Sequence, residues 1–137
     1  MHTAVTTDEI SVAGHEAMVA DDAAGAVVSF AGVVRDHDGG RGVHALDYSA
    51  HPSADALVAE VAADVAARSE GVIALAISHR VGPLVVGDVA LACAVSAAHR
   101  GAAFTACALL VEEVKARLPV WKRQEFADGT EEWVGSA

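Results

Sequence analysis

Three runs of small and β-branched apolar residues constrain this chain most: AVVSFAGVVR at 26–35, VIALAISHR at 72–80 and VALACAVSAAHR at 89–100. Each reads as a strand, and the first is apolar enough throughout to be buried. Two stretches keep helical spacing instead. Ser53 is placed to cap a helix in which Leu57, Val58, Val61, Val65 and Ala66 recur to about Arg68. Its wet face carries Glu60, Asp64 and Arg68, and Gly71 follows its end. The second helix runs from about Gly101 to Leu118, with Phe104, Cys107, Ala108, Val111, Val114 and Leu118 as its apolar stripe, and Pro119 stops it.

The pieces between these elements complete the outline. Residues 8–12 form a short strand and 13–22 a short helix ending before Gly25. DHDGGRG at 36–42 is a flexible Gly- and Asp-rich loop, after which VHALDYS at 43–49 pairs back as a strand. VGPLVVGD is a turn-rich connector, and VWKRQEF with EEWVG closes the chain as a hairpin around Asp128-Gly129. The resulting order is β-α-β-β-α-β-β-α-β-β, an α+β sandwich with helices on one side of a mainly antiparallel sheet. Aromatic residues are 4% of the chain, so Val, Leu, Ile and Ala must build the core, which suits helices packed on a sheet. A length of 137 residues is expected to form one domain over 1–137.

Nineteen acidic against nine basic residues give a net charge of −10, a field that repels nucleic acid and anionic membrane. An anion can then bind only at a local cationic cluster. The first residues lack the basic and apolar regions of a secretory signal, and no run reaches the roughly 18 apolar residues of a membrane span. Cys93 and Cys107 lie in apolar surroundings far from CxxC spacing and read as buried thiols, in keeping with a reducing cytosol. The seven histidines show no HxxxH or HExxH spacing, so no metal site is expected; Asp36-His37-Asp38 reads as a solvated loop. Walker, dinucleotide and GxSxG motifs are absent, and no cofactor is expected.

Only two of the nine basic residues are lysines, Lys115 and Lys122, on either side of Pro119. An arginine keeps its charge permanently, whereas a lysine can lose its proton and act as base or nucleophile. Lys115 borders the apolar stripe of its helix, and Lys122 follows Trp121, an amphipathic rim residue. His99-Arg100 falls where a strand gives way to a helix, and a helix N-terminus favours an anion. Arg35 ends the first long strand beside the loop, within reach of a phosphate. Phe30 lies in that strand as a core or supporting residue. His79-Arg80 also ends a strand but leads into Val81-Gly82-Pro83, and reads as structural.

Taken together, GAVVSFAGVVRDHDGG, LDYSAH, HRVGPLVVGD, VSAAHRGAAF, and VKARLPVWKRQEF followed by EEWV resemble the large, catalytic subunit family of molybdopterin synthase. The resemblance runs from about Gly25 to Val134 with order and spacing kept. It implies an α/β hammerhead-type fold with a small β subdomain, and a homodimer within a heterotetramer. A small ubiquitin-like subunit docks at each end. That subunit's C-terminal Gly-Gly carries a thiocarboxylate, the sulfur source for turning cyclic pyranopterin monophosphate into molybdopterin in molybdenum cofactor biosynthesis.

By position in these motifs, Lys115 and Lys122 match the family's catalytic lysines. Arg35, His99 and Arg100 match its anion-binding set, His99-Arg100 being expected from the neighbouring protomer. Phe30 and Trp121 are expected to support the site. Ser49 stands where family members often carry a glutamate, and the chain ends soon after Trp133-Val134, short of the tail of some members. The competing expectation is a binding module for a pterin phosphate or a ubiquitin-like partner, which would be served as well by arginine as by lysine.

Overall fold

Alternation along the long strands decides how the layers stack. The computed structural model describes residues 1–135. Its elements are β1 (His2–Thr6), α1 (Val12–Val19), β2 (Ala26–Val33), β3 (His37–Asp38), β4 (Arg41–Ala50) and α2 (Ala54–Arg68). They continue with β5 (Val72–Arg80), β6 (Gly82–Val85), β7 (Val89–Ala97), α3 (Arg100–Arg117), β8 (Val120–Phe126) and β9 (Glu131–Gly135). One sheet has the order β1-β5-β7-β2, antiparallel except that β1 runs parallel to β5. A second, wholly antiparallel sheet has the order β3-β4-β8-β9, with β6 also paired to β4. A mainly antiparallel sheet carrying helices, with a smaller β unit beside it, is the α+β arrangement expected.

β7 is central and buried from Ala90 to Ala97 because both of its faces are covered. Leu75 and Ile77 of β5 and Cys93 and Val95 of β7 join the main core with Val58, Val61 and Val65 of α2 and Leu110 and Val114 of α3. Ala76 and Ala94, on the alternate face, pack with Val19 of α1. The helices therefore cover both faces of this sheet, not one as expected. Alanines on the α1 side let a short helix approach closely, and an all-apolar strand hides that difference of faces. Cys93 and Cys107 are both buried and meet with their Sγ atoms 3.8 Å apart.

α1 is tied down through polar groups. Ser11 caps it, its Oγ accepting from the Gly14 amide at 3.1 Å. His15, 3% exposed, donates from Nδ1 to the Ser11 carbonyl at 2.6 Å, which leaves Nε2 to accept from the Ser78 hydroxyl at 2.7 Å. Replacing His15 with phenylalanine leaves the buried Ser78 hydroxyl only the 3.4 Å contact with His2 Nε2, while the Ser11 carbonyl keeps the residue 15 amide, and should cost ~1–3 kcal/mol in urea unfolding.

Six local expectations are corrected, the first being the burial of the strand at 26–35: β2 is an edge strand and is exposed at Val27, Phe30 and Val33. The first strand is β1 at 2–6, and residue 12 already begins α1; β1 is held by parallel pairing to β5 and by Asp55 Oδ1, which accepts from the Val5 amide at 3.1 Å. Those long-range partners leave no mark in so polar a segment. The connector after Val81 contains β6, paired to β4 over 82–85. Ser53 makes no capping bond and instead contacts His51 Nδ1 through its hydroxyl at 2.8 Å. Phe104 is 60% exposed, since α3 buries Ala103, Ala106, Cys107, Leu110, Val111 and Val114. β7 stops at Ala97, and His99 is the extended residue before α3. Gly25 passes so close to this corner that a Cβ would sit 2.3 Å from the Ala98 carbonyl oxygen. No helix among the described residues is long and apolar enough to cross a membrane.

Candidate active site

Where the two sheets meet, the end of β2 turns into the β3–β4 hairpin and leaves a cleft of about 380 Å³. Strand parity determines its polar lining. β4 and β8 pair with Leu46 opposite Gln124 and Tyr48 opposite Lys122, and all four residues line the cleft. Arg123, between Lys122 and Gln124, belongs to the other face, where it meets Glu131 at 2.7 Å and Asp47 at 4.0 Å. Arg35 enters from the end of β2 and Lys115 from the last turn of α3. Both lysines and Arg35 thus share one cavity in an otherwise acidic molecule.

His79 forms the back of the cleft. It is 1% exposed, lies edge-on to Tyr48 with ring centroids 4.9 Å apart, and donates from Nδ1 to the Arg80 carbonyl at 2.8 Å. Burial, and more weakly the charge of Lys115, push its pKa below the ordinary 6.5. The ring is thus neutral at pH 7, with Nε2 free of a proton. Burial likewise raises the Tyr48 hydroxyl above its usual value. For His79 the folded pKa is the lower one, so the unfolded chain binds the proton more readily. Stability that is present above pH 6.5 is lost as pH falls below it. His79→Gln should flatten the acid side of the curve of melting temperature against pH.

The other residues singled out in the sequence lie elsewhere. His99 and Arg100 are exposed at the start of α3, and Arg100 is about 22 Å along the helix from Lys115. Phe30 is 36% exposed on β2 and lines a shallow groove of about 330 Å³ with Val28, Phe104, Cys107 and Val111. Trp121 is 43% exposed on the face of β8 away from the cleft. Ser49 has the same parity as Trp121, its partner across the sheet, so its departure from the family glutamate does not touch the cleft.

Three lining or bordering groups escaped the sequence reading. His79 ends an apolar strand and reads as structural from its sequence, yet it lines the cleft. Gln124 and Asp38 meet through space, Gln124 Nε2 donating to Asp38 Oδ2 at 2.7 Å. That bond, then Lys122 and Arg35, holds the Asp38 carboxyl below the usual carboxylate range. The only sequence signal for Gln124 is its even spacing from Lys122 on a strand.

A two-sheet α+β scaffold that gathers two lysines and an arginine in one cleft over a neutral histidine has the cationic lining that suits an anionic ligand. The family described as MoaE protein matches residues 5–117. The molybdopterin synthase catalytic subunit of Nostoc sp. is 35% identical over 132 residues, which is 96% of this chain and 80% of that protein. Catalytic subunit 1 of the same enzyme from Mycobacterium tuberculosis is 36% identical over 134 residues, 96% of this chain and 88% of its own length. The crystal structure of molybdopterin synthase from Staphylococcus aureus superposes with a TM-score of 0.87 at 31% identity, covering 96% of this chain and 95% of that one. The chain belongs to the MoaE family.

Proposed function

We propose that this chain is a molybdopterin synthase catalytic subunit. It transfers sulfur from the C-terminal thiocarboxylate of a small ubiquitin-like partner to cyclic pyranopterin monophosphate. The observation that carries this reading is the convergence of Arg35, Lys115 and Lys122 in one cleft of a MoaE-family fold. Arg35 binds the phosphate. Lys122, on the β8 wall, stabilises the thiocarboxylate and, once its sulfur has bonded to the pterin, the oxyanion formed as water attacks the acyl carbon. The C–S bond then breaks, leaving a carboxylate on the partner and sulfur on the pterin. Lys115, beside the uncharged His79, moves protons at the carbons that accept sulfur, or holds the substrate transiently as an imine. Because sulfur arrives on the partner, neither buried cysteine is needed. We place the reaction in the cytoplasm and the whole of 1–137 in one catalytic domain.

The cleft is completed by a second copy of the chain. β2 is an edge strand of its sheet, with Val27 and Phe30 exposed along it and Phe104 exposed beside it. The start of β2 lies beside the β7–α3 corner that carries His99-Arg100, and its end leads to Arg35 and the cleft. Two copies meeting edge to edge across a two-fold axis bring the start of one β2 to the end of the other. His99-Arg100 of each protomer then faces the neighbour's cleft.

Incubation with a thiocarboxylated small partner and cyclic pyranopterin monophosphate should yield sulfurated pterin in a single turnover. Tight binding of both without product would instead make the chain a binding module.

A further inference from the structure

The β3–β4 hairpin has little of its own to hold it beside the cleft. Its ladder has only two residue pairs, His37 with Gly42 and Asp38 with Arg41, around Gly39 and Gly40 at φ of 58° and 79°. Backbone bonds fix its base, the Val43 amide donating to the Asp36 carbonyl at 2.7 Å and the Ala127 amide to the Gly42 carbonyl at 2.8 Å, and side chains tie residues 38–41 to β8 and the turn after it. Arg41 stacks on the Phe126 ring at 3.7 Å and pairs with Asp128 at 3.4 Å. On the cleft side Asp38 makes the attachment: Oδ2 accepts from Gln124 Nε2, and Oδ1 faces Arg35 Nη2 at 3.5 Å.

These two contacts differ in weight. The Arg35–Asp38 pair is 63% and 36% exposed, and a pair that open to water adds little by itself. Gln124 is 2% exposed, so losing its partner leaves a buried amide unmet. The Gln124 bond therefore fixes where the carboxylate sits. Released from it, the carboxylate can move beyond its single 3.5 Å contact with Arg35 to engage Arg35 and Lys122 together, where it competes with an arriving phosphate.

We propose that Asp38 and Gln124 are a positioning pair: they clamp the β3–β4 hairpin as a wall of the cleft and keep the Asp38 carboxylate off the substrate's phosphate site. This rests on the reading that the pterin phosphate binds at Arg35 and Lys122.

The test exchanges donor and acceptor. Gln124→Glu sets two carboxylates against each other; adding Asp38→Asn restores a donor–acceptor pair of nearly the same shape. Titration calorimetry with cyclic pyranopterin monophosphate, without the small partner, should show affinity falling about tenfold in Gln124→Glu. It should return to within about threefold of wild type in the double variant. Amide exchange at residues 36–43 should quicken in the single variant and recover in the double. In turnover the single variant should show a raised KM, with the rate at saturating substrate kept. Wild-type affinity and exchange in Gln124→Glu, or no recovery in the double variant, overturns the proposal. Should Gln124→Glu fail to fold, Asp38→Ala tests the clamp by itself: amide exchange at residues 36–43 should quicken, and wild-type exchange there overturns the proposal. If wild type itself binds no pterin, the functional reading falls, and the exchange data alone decide whether the clamp exists.

Discussion

Lys122→Ala protein, given thiocarboxylated partner and cyclic pyranopterin monophosphate, should leave the pterin unsulfurated, its single-turnover rate down about 10²–10³-fold. Lys122→Arg should recover little of that loss. The side chain projects from β8 opposite Tyr48, with Gln124 two residues on and Arg35 across the cleft. An arginine there keeps the charge but is bulkier, forked and unable to share its proton. If charge alone mattered, the arginine variant would match wild type, and the site would be a phosphate receptor whose lysines are incidental. Lys115→Ala should fall comparably, because the neutral His79 behind it cannot supply the missing cation. Calorimetry on the same proteins separates lost binding from lost chemistry: a catalytic role predicts a rate deficit much larger than the affinity deficit.

Mixing two dead proteins should restore turnover. A double variant lacking both cleft lysines and another carrying His99→Ala with Arg100→Ala should each be inactive alone. If each cleft takes its lysines from one protomer and His99-Arg100 from the other, a mixed dimer has one intact cleft and one with neither set. With random exchange half of the dimers are mixed, so activity should rise to about a quarter of wild type. The distance of about 22 Å along α3 separates this outcome from the alternative. If His99-Arg100 served its own chain's cleft, mixing would restore nothing. Full activity of the His99-Arg100 variant by itself would remove the pair from the site.

Much of the fold was legible because its elements carry their signals locally. α2 and α3 keep their stripe or their stops, and the three long strands are dense in β-branched residues. Asp128-Gly129 stands in the turn of the closing hairpin. What was hidden depended on partners distant in sequence. β1 is a short strand whose parallel pairing with β5 spans most of the chain, and β6 looks like turn residues until β4 lies beside it. Phe104 fits a helical stripe on paper, yet the sheet beneath α3 presses nearer to Ala103 and Ala106. Of the site, the lysines stood out by their rarity and Arg35 by its place at a strand end. His79 did not, since a histidine after an apolar strand looks the same whether it faces a cleft or a wall. Asp38 sat in a segment read as solvated, because a carboxylate's partner 86 residues away leaves no trace in spacing.

On the role proposed for Lys122, the alternation of Lys122, Arg123 and Gln124 across β8 makes the reaction dependent on parity. A single residue inserted between Val120 and Lys122 would turn the strand over. Arg123 would then enter the cleft and the lysine would meet Glu131 and Asp47 outside it. The segment would keep its composition, charge and strand propensity, yet present a permanently protonated group where an exchangeable one is needed. Length changes in this stretch can be accommodated only in even steps or by a bulge that resets the count, so drift in length is far more restricted here than in the Gly-rich hairpin opposite.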